Sequence, residues 1–275
     1  GDVGVSTSGA LDRGSARQAN RIVGNHSRAT VIECLFGGFT LYAEKDLTCA
    51  VTGAQTPLTI DGRPAPLRTP LVVPAGAELA LGTPTCGTRN YVAFRGGCAA
   101  PTVMGSSATD TLSKLGPDPI GIGQKLGVNP DPAPAAVGEP EPSTLPAHLD
   151  SVTLRAVPGP RAHWCAPGEL DTFASQTWTV RPTSNRIALR LNPDEGGRGL
   201  KRASDKGELA SEGMVSGAIQ VPPEGLPVLF VADHPVTGGY PVIATVVAED
   251  LDLVAQLAPG THVHFDLIDV PGEPT

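Results

Sequence analysis

Residues 209–241, LASEGMVSGAIQVPPEGLPVLFVADHPVTGGYP, decide how this chain is read. One apolar run, VLFV at 228–231, is enclosed on both sides by glycine and proline. Glycine admits left-handed or closely approached backbone and proline removes a donor, so neither suits a long helix. The pattern describes a buried strand between tight turns. Polar residues gather around it: Ser211, Glu212, Gln220, Asp233, His234, Thr237 and Tyr240. The bend Thr237-Gly238-Gly239-Tyr240-Pro241 admits two readings. Its backbone N–H groups suit an anion or a carbonyl oxygen. It equally suits a tight barrel corner with Tyr240 packed as a lid. Asp233 and His234 are adjacent, so on extended chain they point to opposite faces and form no acid–base dyad. Asp233 alone remains a candidate.

The same punctuation runs through the rest of the chain. Glycine (33) and proline (28) are abundant while aromatics are 4%, which predicts many short strands and cores filled by Val, Leu, Ile and Ala. Strands are expected near 31–36, 47–51, 71–73, 78–81 and 89–94, and again near 152–157, 178–180, 187–191, 228–231, 242–247 and 263–268. Strands at this spacing indicate a barrel or sandwich. A helix is expected from Asp12 to Val23, capped by Ser8 or Asp12 and ended by Gly24, with Arg13, Arg17, Gln18 and Asn20 facing outward or toward a partner. Shorter helices are expected over 169–175 and 249–257. Residues 129–150 carry Pro130, Pro132, Pro134, Pro140, Pro142 and Pro146 and read as an extended connector. The expected organisation is thus an N-terminal lobe over 1–128, a connector over 129–150 and a C-terminal lobe over 151–275. A turn-plus-strand phrase, PAGAEL at 74–79 and APGTHV at 258–263, occurs once in each lobe and suggests related barrels.

Net charge is -8 with a pI near 5.2, and no Lys/Arg cluster offers the basic face that nucleic acid needs. No run is long and apolar enough for a membrane span, and no signal peptide is recognised. The chain starts without Met and runs straight into a dense motif, so a first strand is expected to be missing upstream. Five cysteines without CxxC spacing read as buried thiols in a reducing cytoplasm. No metal site is evident, and the absence of GxxxxGK[ST] excludes a P-loop for ATP. Arg186 and Arg190 lie four apart and share a face if both are on a strand; they form either a solvated face or an anion clamp, and the clamp is preferred. Arg89 or Arg95 is a further candidate anion partner. The hydroxyls of Ser6, Thr7 and Ser8 before the first helix suit an anion or a plain N-cap.

Taken together, GVSTSGALDRGSARQANRIVGN, IECLFGG, AVTGA, RNYVAFRGG and the 211–241 stretch resemble allophanate hydrolase subunit 2, also called KipA-like or the C subunit of 5-oxoprolinase, within the biotin-dependent carboxyltransferase family. The resemblance covers nearly the whole chain outside the connector. It implies an all-β fold with a few short helices, in two cyclophilin-like β-barrel lobes. It implies a hydrolase subunit acting on C–N amide bonds, inactive without its partner subunit. The partners implied are a KipI-like subunit 1 and a third, LamB/YcsF-like subunit, with ATP used by the assembly. Opening of 5-oxoproline to glutamate is the expected chemistry. The alternatives are a regulatory KipA-like role and the carboxyltransferase step of a urea carboxylase, with biotin not attached to this chain. The expected catalytic residues are Asp233, Tyr240 and Gln220. Arg186, Arg190, Thr237, Gly238 and Gly239 are expected to bind substrate. The chain departs from the family pattern at Met104-Gly105-Ser106-Ser107-Ala108-Thr109, at 184–191 and at 232–241, which implies altered substrate choice or reduced activity.

Overall fold

A computed structural model of the chain describes residues 4–130 and 137–269. Two prolines of the expected connector, Pro132 and Pro134, lie outside the described residues, as do positions 1–3 and 270–275. The regular elements of the described residues are mostly strands, with three short α-helices. They cluster into two units. The first comprises Gly1–Leu11, Asp110–Lys114 and Leu149–Thr275; the second comprises Asp12–Thr109 and Leu115–His148. The opening residues therefore belong with the C-terminal unit rather than with the lobe that follows them in sequence.

The first unit is a closed seven-stranded barrel. Going round it, the strands are Ser151–Pro158, Val242–Val246, Ala218–Gln220, Val228–Phe230, Ala188–Pro193, Trp178–Val180 and His262–Leu267, which returns to the first. Ser151–Pro158 alternates exposed and buried residues, as a strand with one face on a core should. It pairs parallel with His262–Leu267, the one parallel pairing of the barrel. Closure leaves no open sheet edge. The helix Glu169–Ser175 begins after Gly168, whose φ of 78° ends the preceding turn, and carries Glu169 and Asp171 in its first turn where the helix dipole favours acids. Phe173 on it is fully buried, stacked on Phe265 at 4.4 Å, and its carbonyl accepts from Trp178 Nε1. The helix expected over 249–257 is shorter: a 3-10 turn at Ala248–Asp250 leads into Leu251–Val254.

The second unit has two four-stranded antiparallel sheets. One runs in the order Ile32–Leu35, Cys86–Phe94, Leu47–Gln55, Leu71–Val73; the other runs Thr40–Tyr42, Glu78–Leu81, Leu58–Ile60, Arg63–Pro64. Their apolar residues, among them Val51, Val73, Leu79 and Val92, form one core. The helix Arg13–Ile22 packs on the two long strands of the first sheet. Asp12 caps it by accepting from the Ser15 N–H at 2.7 Å and the Ser15 hydroxyl at 2.6 Å, and Gly24 follows its end with φ 71°.

One expectation for this helix is corrected. Arg13 and Arg17 are exposed, but Gln18 and Asn20 are buried. Gln18 Nε2 donates to Pro142 O at 2.9 Å, and Asn20 Nδ2 donates to Ala29 O at 2.8 Å. Buried polar side chains persist where backbone carbonyls satisfy them, and helix periodicity cannot show those carbonyls. The described part of the connector is accordingly tied down: Gly138 N–H donates to Ile22 O, and Arg21 forms a two-point ion pair with Glu141.

Candidate functional site

The polar interior of the first unit centres on Asp233, whose side chain is fully buried. Its strand Val228–Phe230 has just ended, and the Asp233 N–H donates to Arg186 O, which sets the carboxylate facing inward. Oδ1 accepts from the Ser8 hydroxyl at 2.6 Å and from Arg186 Nη2 at 3.1 Å. Oδ2 accepts from Arg186 Nε at 3.0 Å, from Thr111 N–H at 3.0 Å and from the Thr111 hydroxyl at 2.8 Å. Arg186 Nη2 also donates to Gly9 O at 2.6 Å. A buried charge is tolerated only with partners of this kind, and here five donors meet one carboxylate. Ser8 is held with φ at +43°, a conformation that costs a non-glycine residue and persists where its surroundings impose it.

A second carboxylate extends the knot. Asp110 accepts from the Ser6 hydroxyl at 2.7 Å and from the Leu112 and Ser113 N–H groups, both at 2.9 Å. Burial alone raises its pKa, but the bonds from Ser113, Ser6 and Leu112 outweigh burial and hold it below the usual carboxylate range. Three segments distant in sequence are thereby fastened: 6–9, 110–113 and 186–233.

The glycine bend lies beside this knot in sequence and is built differently. Thr237–Gly238 pairs antiparallel with Glu212–Gly213, and Glu212 forms an ion pair with Arg161. Gln220 is 3% exposed, next to a register shift in the pairing of Ala218–Gln220 with Val242–Val246. A bulge re-aims a side chain, and Gln220 Nε2 donates to Tyr240 O at 2.8 Å, with Met214 Sδ at 3.3 Å. Gly238 fills the remaining space, because a Cβ there would sit 2.6 Å from Gln220 Nε2. Thr237, Gly239 and Tyr240 are exposed above this support.

Among the expected site residues, the structure thus joins Asp233 to Arg186, and Gln220 to Gly238 and Tyr240. It corrects the arginine pair. Arg186 precedes the strand Ala188–Pro193 instead of lying on it, so strand parity does not place it beside Arg190. The Arg186 guanidinium is engaged by Asp233 and Gly9 O, whereas Arg190 is exposed on the strand. His234 Nδ1 lies 2.8 Å from Pro235 O, in keeping with the absence of a dyad. Thr111 and Asp110 were not anticipated. Their partners lie 122 and 104 positions away in sequence, and no local pattern signals such a pairing.

Among the described residues no group of three or more His, Cys, Asp or Glu could hold a metal ion, and no helix is long and apolar enough to cross a membrane. All five cysteines are free, with Cys34, Cys49 and Cys98 buried. Burial pushes Cys34 and Cys49 to about 12, far from the range of a reactive thiolate.

Residues 3–267 match the family described as carboxyltransferase domain, subdomain A and B. The chain is 35% identical over 267 residues to the 5-oxoprolinase C subunit of Escherichia coli (strain K12), covering 95% of this chain and 83% of that protein. It is 30% identical to urea amidolyase of Lachancea kluyveri over 96% of this chain, but spans 15% of that protein. Among solved structures, TTHA0988 aligns with a TM-score of 0.83 at 32% identity over 96% of this chain, which spans about half (51%) of that chain's length. The Kluyveromyces lactis urea amidolyase aligns with a TM-score of 0.89 at 27% identity over 97% of this chain and 17% of that chain. By its sequence over nearly its whole length, and by its fold, this chain belongs to the carboxyltransferase domain family, subdomain A and B.

Proposed function

We propose that the chain is one subunit of an ATP-dependent assembly that hydrolyses a cyclic amide, opening 5-oxoproline to glutamate together with a KipI-like subunit and a LamB/YcsF-like subunit. The observation that carries this reading is the 35% identity to the 5-oxoprolinase C subunit, spread over 95% of this chain and 83% of that relative. Water adds across the lactam C–N bond, giving the γ-carboxylate and the free amine. ATP, consumed by the assembly, drives the ring opening. Five free thiols fit work in a reducing cytoplasm.

Residue roles follow from accessibility. Tyr240 and the exposed Gly239 are the groups of the bend that this reading assigns to the lactam carbonyl oxygen. Gln220 supports that bend through Tyr240 O. Arg190, exposed on its strand, is the cation available to the substrate carboxylate, since Arg186 is engaged by Asp233. Asp233 is buried, so it acts through Ser8, Thr111 and Arg186 as a positioning residue. The reading is tested by purifying the chain with its companion subunits and following glutamate release from 5-oxoproline with and without ATP. Absence of turnover with every subunit present sinks it.

A second reading has its own support. Urea amidolyase of L. kluyveri shares 30% identity over 96% of this chain, and the K. lactis fold aligns at a TM-score of 0.89. In that reading the bend holds urea while a carboxyl group arrives on biotin carried by another polypeptide. Urea-dependent loss of carboxyl from a carboxylated biotin carrier, with 5-oxoproline inert, would select it.

A further inference from the structure

Single exposed apolar side chains are ordinary on protein surfaces; a concentration of them in one segment is not. Fourteen large hydrophobic side chains are exposed among the described residues. Six of them, Val103, Met104, Leu115, Ile120, Ile122 and Leu126, fall in the second unit on either side of Asp110–Lys114. Met104 is 64% exposed and Ile122 stands wholly in solvent at 110%. Between Cys98–Ala99 and Gly127–Val128 there is no helix or strand. Irregular segments of this length in a compact domain are uncommon, and are usually either functional or linkers.

The stretch is nevertheless pinned. Val103 and Ser106 exchange N–H···O bonds of 2.8 and 3.0 Å around a turn in which Met104 and Gly105 take φ of 52° and 78°. The Thr109 hydroxyl donates to Pro117 O. Gly116, at φ 122°, lies so close to Ala108 O that a Cβ would come within 2.4 Å. Gln124 caps the turn at Gly121 through its side chain, and Lys125 pairs with Glu44 at 2.8 Å. Apolar groups held by a fastened backbone lose little further freedom on docking. From Leu115 to Leu126 the charges are Asp118 and Lys125, which cancel, so the complementary surface is apolar and uncharged.

The relatives supply a candidate occupant. This chain spans 51% of TTHA0988, so in that protein an unmatched half of similar length accompanies this region. The E. coli relative is named a subunit. We propose that the exposed apolar stretch within residues 103–126 is the docking surface for an unlike subunit, the counterpart of the half of TTHA0988 that this chain does not match. The proposal rests on reading the chain as an assembly subunit.

The test uses the full chain and the companion protein from the same source, identified by its likeness to that unmatched half. Ile120→Asp and Ile122→Asp are each expected to weaken binding by about tenfold or more, as central apolar contacts do. Val72→Asp, at another exposed position (66%) on a sheet edge of the same unit, is expected to leave affinity unchanged. Unaltered thermal melts show that the variants are folded. Hydrogen exchange on the unaltered complex is an independent measure, with amides of 103–126 expected to slow. Full-strength binding by both Ile variants without protection of the stretch overturns the docking surface and leaves the subunit reading intact. Failure of the unaltered chain to bind the companion overturns both. Self-association of the unaltered chain that Ile122→Asp abolishes assigns the surface to a second copy and also overturns the proposal.

Discussion

The two units share a turn and differ in what they bury. In the second unit Ala77 N–H closes the turn onto Pro74 O, Gly76 takes φ 84°, Gly76 N–H donates to Ala43 O and Ala43 N–H donates to Ala77 O. In the first unit Thr261 N–H closes onto Ala258 O, Gly260 takes φ 91°, Gly260 N–H donates to Val180 O and Val180 N–H donates to Thr261 O. The same three bonds and the same left-handed glycine occur in the same order, and each turn leads directly into a strand. The polar interiors have no such correspondence. The first unit buries an ion pair, Asp233 with Arg186, while the second centres on a fully buried phenol: Tyr91 accepts from Asp12 N–H at 2.8 Å and donates to Glu33 at 2.9 Å. Burial first, then the Glu33 and Asp12 carboxylates, push that phenol well above its ordinary range, so it stays protonated as the donor. The scaffold phrase is common to both units, and the buried chemistry is particular to each.

That contrast can be broken experimentally. Asp233→Ala removes the carboxylate that accepts from Arg186 Nε and Nη2 and from two hydroxyls, and is expected to cost about 3–5 kcal/mol in a denaturant melt. A cost below about 1 kcal/mol would mean the ion pair is not what holds segments 6–9 and 110–113. Tyr91→Phe removes one neutral group that both accepts and donates, and its expected cost is smaller, about 1–3 kcal/mol. Equal costs for the two substitutions would erase the distinction. Gly76→Ala and Gly260→Ala sharpen the shared half of the comparison. Neither added Cβ meets any atom within 4 Å, so only the left-handed backbone penalises it. Each should cost roughly 1–2 kcal/mol, and the two values should agree.

The smallest effect concerns pH. The Arg21 hydrogen bond is the chief cause that lowers the pKa of Glu141. A carboxylate whose folded pKa is depressed contributes stability above its unfolded pKa, and loses it as pH falls through the folded value. Arg21 is 60% exposed, which limits the pair to about 0.2–1 kcal/mol. Glu141→Gln should therefore lower stability slightly at neutral pH and become indistinguishable from the unaltered chain in acid below the folded pKa, read by paired melts.

Sequence made the turns legible because glycine and proline act locally: PAGA and APGT carry their conformation within four residues. It made the helix Glu169–Ser175 legible through its acidic first turn. It did not reveal Thr40–Tyr42 or Leu58–Ile60, since three residues hold too little alternation to stand out from loop. Gln18 and Asn20 were misplaced because their acceptors, Pro142 O and Ala29 O, come from other segments. For the candidate site, the support of the bend by Gln220 was close enough in sequence to suspect. The Ser8–Asp233 contact spans 225 positions, and a hydroxyl meeting a carboxylate at that separation leaves no periodic trace.

The parallel pairing of Ser151–Pro158 with His262–Leu267 has a consequence for biosynthesis. The first strand of the barrel finds one of its two neighbours only when the last strand has left the ribosome. Until then the growing chain exposes two raw strand edges for the time needed to translate roughly a hundred residues, seconds at ordinary elongation rates. Chaperone capture during synthesis should concentrate on that interval, and a stop codon placed just before His262 should yield an aggregating polypeptide in place of a smaller folded one.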